Sequence, residues 1–295
     1  MNLGGLSLPE LVRRTVQESW QDAVFGQGGR MAFYHFLAIF PALLMLNVAA
    51  DHLPVLPPEV PQSLAEAVSQ ILPREVTDMV RSVAGDFHQV QLSGWRFLTT
   101  LAGVLWAGCN GTWAMIYGLN TAYEVRESRR PRQLALTIVG LTIALALITT
   151  FGVGVVAAAA SLRSRVHALV PLGLIEWLVL ILVLLFWFSV LYRFAPSLEN
   201  KRWQWSTPGA LFAAALWVGA TLAARFYFER IDNYHVSFGR LSGVAMLLLW
   251  LYVTNGVILI GGEMNSEIER SADHRNEKPG KAAPVPYPGR GSFPQ

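Results

Sequence analysis

Residues able to do chemistry are few in this chain, and most lie inside apolar runs or at their ends. His35, Asn110 and Asn255 stand among hydrocarbon side chains, in MAFYHFLAIF, LWAGCNGTWA and LLLWLYVTNG. Asn47 is a fourth such residue. An amide or imidazole in those surroundings must find hydrogen-bond partners, because hydrocarbon offers none. It either bonds across helices and glues them, or it lines a polar cavity open to a solute or a proton. For His35 a proton relay is the chemical reading, and a hydrogen bond within a helix bundle is the structural one. A second set, Arg30, Asn120, Glu124, Arg193 and Glu263, sits where apolar runs stop. Unpaired charge at one level of a membrane is costly, so this set is predicted to gather into a polar cluster. The alternative is that each side chain snorkels separately to the headgroups. Arg225 and Glu229 are four residues apart, the spacing of an ion pair on one helix face. With Glu176 nearby in depth, that pair reads as structural.

The elements that position these residues follow from composition. Of the 295 residues 53% are hydrophobic and 15% charged, against about 25% charged in an ordinary soluble domain. Mean hydropathy is +0.38. The apolar residues concentrate in six stretches, at about 31–50, 95–121, 135–160, 170–194, 207–228 and 241–266. Each is near or above the ~20 residues that cross a bilayer as a helix. The predicted fold is therefore all-α, a polytopic membrane protein with six transmembrane helices. Pro41 should kink the first span, since a mid-helix proline removes a backbone bond.

The remaining segments are predicted to be peripheral. Residues 7–25 read as an amphipathic helix along the membrane surface, with Ser7 and Glu10 at capping-box spacing. Packing of that helix on its own protein is the alternative. The first 29 residues lack the apolar core of a cleavable signal peptide. Segment 51–94 carries apolar spacing for two short amphipathic helices separated by Pro73. Residues 271–295 are rich in proline and without apolar periodicity, a disordered tail. The organisation is thus 1–29 as an N-terminal helix, 30–270 as the membrane domain, and 271–295 as a tail. With six spans both termini share a side, and 15 of the 23 Lys and Arg fall on it. The positive-inside rule puts that side in the cytoplasm, with 51–94 opposite.

Other chemistries find no pattern. Cys109 is the single cysteine, which excludes an intrachain disulfide and a cysteine metal cluster. The six histidines are scattered without metal-ligand spacing. No phosphate-binding glycine loop and no Gly-x-Ser-x-Gly elbow is present. Basic residues lack the aromatic interleaving of a nucleic-acid site. No cofactor or metal is expected; the expected partners are membrane lipids, a lipid-like substrate and a second copy of the chain, and not nucleic acid. One internal echo exists: LWAGCNGTWAMIYGLNTAYE (105–124) and LWLYVTNGVILIGGEMNSEIE (249–269) share Leu-Trp, Asn-Gly, a second Asn ten residues on and a Glu after fourteen. Small residues in both, including Gly108, Gly111, Gly118, Gly256, Gly261 and Gly262, favour close backbone approach.

The segments AFYHFLAIFPALL (32–44), YGLNTAYEVRESRRP (117–131), LYRFAPS (191–197) and FGRLSGVAMLLLWLYVTNGVILIGGEMNSEIE (238–269) resemble the YihY/BrkB family of bacterial inner-membrane proteins. The likeness covers about residues 15–270; Phe238-Gly239-Arg240 stands where that family usually has Tyr-Gly-Ser. It implies a multi-pass protein of the bacterial inner membrane, in a family linked to serum resistance and to export of lipopolysaccharide precursors. The family also carries an old ribonuclease BN label, for which the residues offer no hydrophilic catalytic domain. The predicted function is a transporter or flippase-like protein for an amphipathic envelope substrate. The alternatives are a non-transporting scaffold acting through 51–94 and, third, a membrane-associated ribonuclease.

Overall fold

The computed structural model describes residues 5–52, 94–165, 172–198, 208–230 and 241–276. Among them are seven α-helices and no strand: α1 (Leu8–Gln21), α2 (Val24–His52), α3 (Trp95–Ala122), α4 (Pro131–Arg165), α5 (Leu172–Phe194), α6 (Pro208–Arg230) and α7 (Leu241–Asn276). Helices α2 to α7 fall on the six apolar stretches. The two helices expected within 51–94 lie outside the described residues from position 53 on. So do the tail from 277 and the side chains of Pro41, Asn47, Glu176, Arg225 and Glu229. Helix α2 is continuous through Pro41.

One expectation is corrected near the start of the chain. The capping box does not form: Ser7 takes the extended N-cap conformation without a side-chain bond. Glu10 turns instead to Arg13 and Arg14, one turn ahead, with contacts of 2.7 to 3.2 Å. Two cations at i+3 and i+4 outcompete a backbone amide for one carboxylate. They also hold the Glu10 carboxyl down at about 2, through hydrogen bonds from Arg13 first and Arg14 second. At the other end the last helix runs to Asn276.

Helix α1 ends at Asp22, and Ala23 takes a left-handed φ of 49° before α2 restarts at Val24. That break folds α1 back onto α7, where Leu11 is buried with Met264 and Ile268. The helix therefore packs on its own protein through Leu11, while Leu8, Val16 and Trp20 stay exposed on its outer side.

Helix α7 is the centre of the assembly and packs on α1, α2, α3 and α6; α4 packs mainly on α5. The polarity is inverted relative to a water-soluble protein. The apolar stretch Pro131–Gly152 of α4 is 22 residues long, and only 11% of its most apolar window is buried. Leu136, Val139, Ile143, Leu147 and Phe151 point outward along it. Contiguous apolar surface of this extent is unfavourable in water and is what a lipid-facing helix presents. Gly243–Ala272 in α7 also has the length and apolarity of a span.

Gly261 and Gly111 show how closely the core is packed. A Cβ on Gly261 would collide with Tyr192 Oη, Ala213 and the Gly209 carbonyl, so α5, α6 and α7 meet there only because it has none. A Cβ on Gly111 would meet the His35 ring, so this glycine admits an imidazole against the α3 backbone.

Candidate functional site

Helix α7 carries its polar residues inward. Asn255 and Glu263 are both 0% exposed, and Asn265, Ser266 and Glu267 are buried. The spacing 255, 259, 263, 267 puts Asn255, Leu259, Glu263 and Glu267 on one face. Asn255 and Glu263 are about 12 Å apart along the axis at the helical rise.

At mid-height, Asn255 Nδ2 donates to the Leu251 carbonyl at 2.8 Å, and its side chain faces His35 of α2. The structure thus brings together two of the three predicted mid-membrane residues. Asn110 is handled differently: its Nδ2 donates to the Trp106 carbonyl at 2.7 Å, within its own helix. That bond serves neither helix gluing nor a cavity.

Around the predicted cluster of Arg30, Asn120, Glu124, Arg193 and Glu263 the described residues make the following contacts. Arg270 Nη1 donates to Glu124 at 2.6 Å, and Arg270 also meets Glu267 at 3.0 Å. Arg14 of α1 approaches Glu267 at 3.9 Å. These contacts tie α1, α3 and α7 at one end of the bundle. Arg30 lies with its guanidinium 4.4 Å from the centre of the Tyr117 ring, a cation–π contact. Arg193 occupies the last turn of α5. Glu263 is enclosed, and neither of its carboxyl oxygens has a hydrogen-bond partner. The charges acting on it most strongly are Asp22, Arg270 and Glu18.

Glu124 owes its position to the backbone. It follows α3 with a left-handed φ of 52°. Val125 N–H bonds the Asn120 carbonyl and Glu124 N–H the Thr121 carbonyl, each at 2.9 Å. This is a Schellman ending with glutamate where glycine is the usual residue. The left-handed conformation costs a non-glycine residue about 1 kcal/mol, and here it accompanies the pairing of Glu124 with Arg270.

The two asparagines of the internal echo do the same work. Asn120 Oδ1 accepts the Ser197 amide at 2.8 Å, just beyond α5. Asn265 Oδ1 accepts the Gly209 amide at 2.8 Å, in the first turn of α6. Ser197, just beyond α5, and Gly209, in the first turn of α6, are thus held by equivalent side chains of α3 and α7. The first Asn of each half, Asn110 and Asn255, likewise bonds the carbonyl four residues back. Around Asn120, Glu127 accepts its Nδ2 at 3.0 Å and the Arg129 amide at 3.0 Å. Burial acts to raise the Glu127 carboxyl, but the Arg129 amide, the Asn120 amide and the Arg129 charge together hold it below the ordinary 4.5. Arg129 also donates to the Phe194 and Ala195 carbonyls at the end of α5, where a cation is favoured.

Between α6 and α7 lies a pocket of about 350 Å³ lined by Trp217, Thr221, Tyr227, Trp250, Val253 and Thr254, among others. Trp217 and Trp250 meet edge to face, and Trp217 Nε1 donates to Thr254 Oγ1 at 3.2 Å. Sequence reading missed this pocket, and it missed Asp22 and Arg270 as partners of the acids. Among the described residues no three His, Cys, Asp or Glu side chains gather as a metal site.

An all-α assembly with apolar side chains outward and polar ones inward on its central helix is an integral membrane protein. The chain belongs to the family described as virulence factor BrkB, which matches residues 15–286. It is 27% identical over 263 residues to the ribonuclease-like protein YfkH of Bacillus subtilis, covering 86% of this chain and 93% of that protein. It is 24% identical over 195 residues to the UPF0761 membrane protein PSHAa0171 of Pseudoalteromonas translucida, covering 65% of this chain and 62% of that one. A UPF0761 membrane protein of Chlorobium luteolum is 24% identical over 262 residues, covering 84% of this chain and 58% of that one. No solved structure matches the chain.

Proposed function

We propose that the protein is a six-span transporter or flippase-like protein of the bacterial inner membrane that handles an amphipathic, lipid-like envelope substrate. Helices α2 to α7 are the spans, and both termini are cytoplasmic, as the distribution of Lys and Arg favours. The observation that carries the reading is that α7 bears two unlike faces. One lines the aromatic pocket against α6 with Leu249, Trp250, Val253 and Thr254. The other carries the enclosed Asn255 and Glu263. A molecule with an acyl chain and a polar head finds matching chemistry on one helix: apolar contact for the chain in the pocket, and hydrogen-bonding groups for the head once movement of α7 uncovers its enclosed face.

A catalytic role is not part of this proposal. The ribonuclease wording belongs to the name of the Bacillus subtilis relative. The scaffold alternative rests on segment 51–94, nearly all of which lies outside the described residues. A second copy of the chain is a further proposed partner, for which the exposed aromatic side of α3 (Trp106, Trp113, Tyr117) offers surface.

The test is photo-crosslinking of the reconstituted full chain with a phospholipid carrying a photoactivatable acyl chain. Crosslinks are expected in the peptides holding Trp217 to Tyr227 and Leu249 to Thr254, and they should fall when Val253→Trp fills the pocket. Labelling spread evenly over the exposed faces of α3, α4 and α6, unchanged by Val253→Trp, would count against the reading.

A further inference from the structure

Glu263 is the least expected side chain in the molecule. It is fully enclosed on a helix with the length and apolarity of a membrane span, and no donor reaches either oxygen. Groups whose charge or polarity bears on it belong to several elements: Asp22 at the α1–α2 junction, Glu18 on α1, Tyr123 at the C-cap of α3 and Arg270 on its own helix. Among these described residues Arg270 is the cation, and it is already held by Glu124 and Glu267. Its neighbours are therefore mostly acids, and the local cation is shared.

An enclosed carboxylate without a donor is strongly unfavourable, so such a site selects a positive ligand. A metal cation takes about six oxygen ligands, and the described residues supply no trio of ligating side chains here. A proton needs a single lone pair. We propose that Glu263, faced by Asp22, is a reversible proton-binding site at the end of the bundle where α1 docks. The proton adds to one carboxyl oxygen of Glu263, and the resulting O–H is available to donate to the Asp22 carboxylate. On release the proton returns to water at the α1 end, and two carboxylates then face each other. Because Asp22 is the last residue before the Ala23 break, the same event acts on the joint that holds α1 against α7. In the transport reading this proton is the coupling ion, and that role rests on the reading; proton binding itself does not.

The test is infrared difference spectroscopy of the full chain in lipid bilayers during pH steps, in H₂O and D₂O. A carboxylic-acid C=O band that changes with pH and shifts in D₂O is expected in wild type. It should be retained in Glu267→Gln and lost in Glu263→Gln. If Glu263→Gln does not assemble, Asp22→Asn leaves Glu263 in place and must move the same band. No pH-dependent band, a band unaltered in Glu263→Gln or Asp22→Asn, or one driven by sodium at constant pH would each overturn the proposal. The readout is protonation and not transport, so a protein silent in transport assays would remove the transport reading and leave this one standing.

Discussion

Asn265→Ala removes the acceptor that holds the start of α6, along with the contact Asn265 makes to Tyr123. The first amides of a helix have no partner within it. At α6, Pro208 contributes no N–H, and the Gly209 amide is taken by Asn265 Oδ1 at 2.8 Å in a buried setting. The contact is tight, because a Cβ on Gly209 would collide with Asn265 and with the Gly261 carbonyl. Removing the acceptor therefore strands a buried donor, at a cost of about 1 to 3 kcal/mol. By the factor of ten per 1.4 kcal/mol, that is roughly 5- to 150-fold faster exchange of the Gly209 amide. Hydrogen–deuterium exchange with mass spectrometry in detergent or nanodiscs reads it on the peptide containing Gly209. Asn120→Ala should produce the matching acceleration on the peptide containing Ser197, whose amide Asn120 accepts. Leu136→Ala, on the exposed side of α4, should change neither. Exchange at Gly209 as slow in Asn265→Ala as in wild type would refute the reasoning, as would acceleration spread uniformly over all helices.

Three further outcomes follow from the same geometry. Glu124→Gly removes left-handed strain while Glu124→Ala keeps it, and both lose the Arg270 pair; the glycine variant should be the more stable by about 1 kcal/mol in thermal unfolding. Gly261→Ala should destabilise by about 1 to 3 kcal/mol through overpacking against Tyr192 and Ala213, whereas Gly103→Ala, with open space at that point, should be neutral or mildly stabilising in the same assay. Glu127 has a folded pKa below the ordinary 4.5, so its stabilising contribution is fully present above that pH and lost as pH falls through the lower folded value. Wild type should therefore lose thermal stability over that acid window more steeply than Glu127→Gln, and parallel pH profiles of the two would contradict the role given to this carboxylate.

Much of the architecture is legible in the sequence because hydropathy and length act locally. The stretch predicted at 95–121 is α3 at Trp95–Ala122, and that at 170–194 is α5 at Leu172–Phe194. What local pattern does not carry is partner choice. Glu124 and Glu267 are visible as acids at helix ends, but Arg270 as the cation they share follows from how α3 meets α7. Ser7 and Glu10 have capping-box spacing, and only the competition from Arg13 and Arg14 decides against it. The echo between 105–124 and 249–269 looks weak as letters. Its content emerges as matched hydrogen bonds, Asn120 to Ser197 and Asn265 to Gly209. The break at Ala23 was not foreseeable from an alanine, a residue with no preference for positive φ.

The most direct test of the transport proposal is movement of headgroup-labelled phospholipids and related amphipaths across vesicles holding the purified full chain. Wild type is expected to exceed protein-free vesicles for at least one member of a broad substrate panel, with the rate reduced by Asn255→Ala and Glu263→Gln. Wild type indistinguishable from empty vesicles for every member of the panel, with the protein folded and inserted, would contradict it.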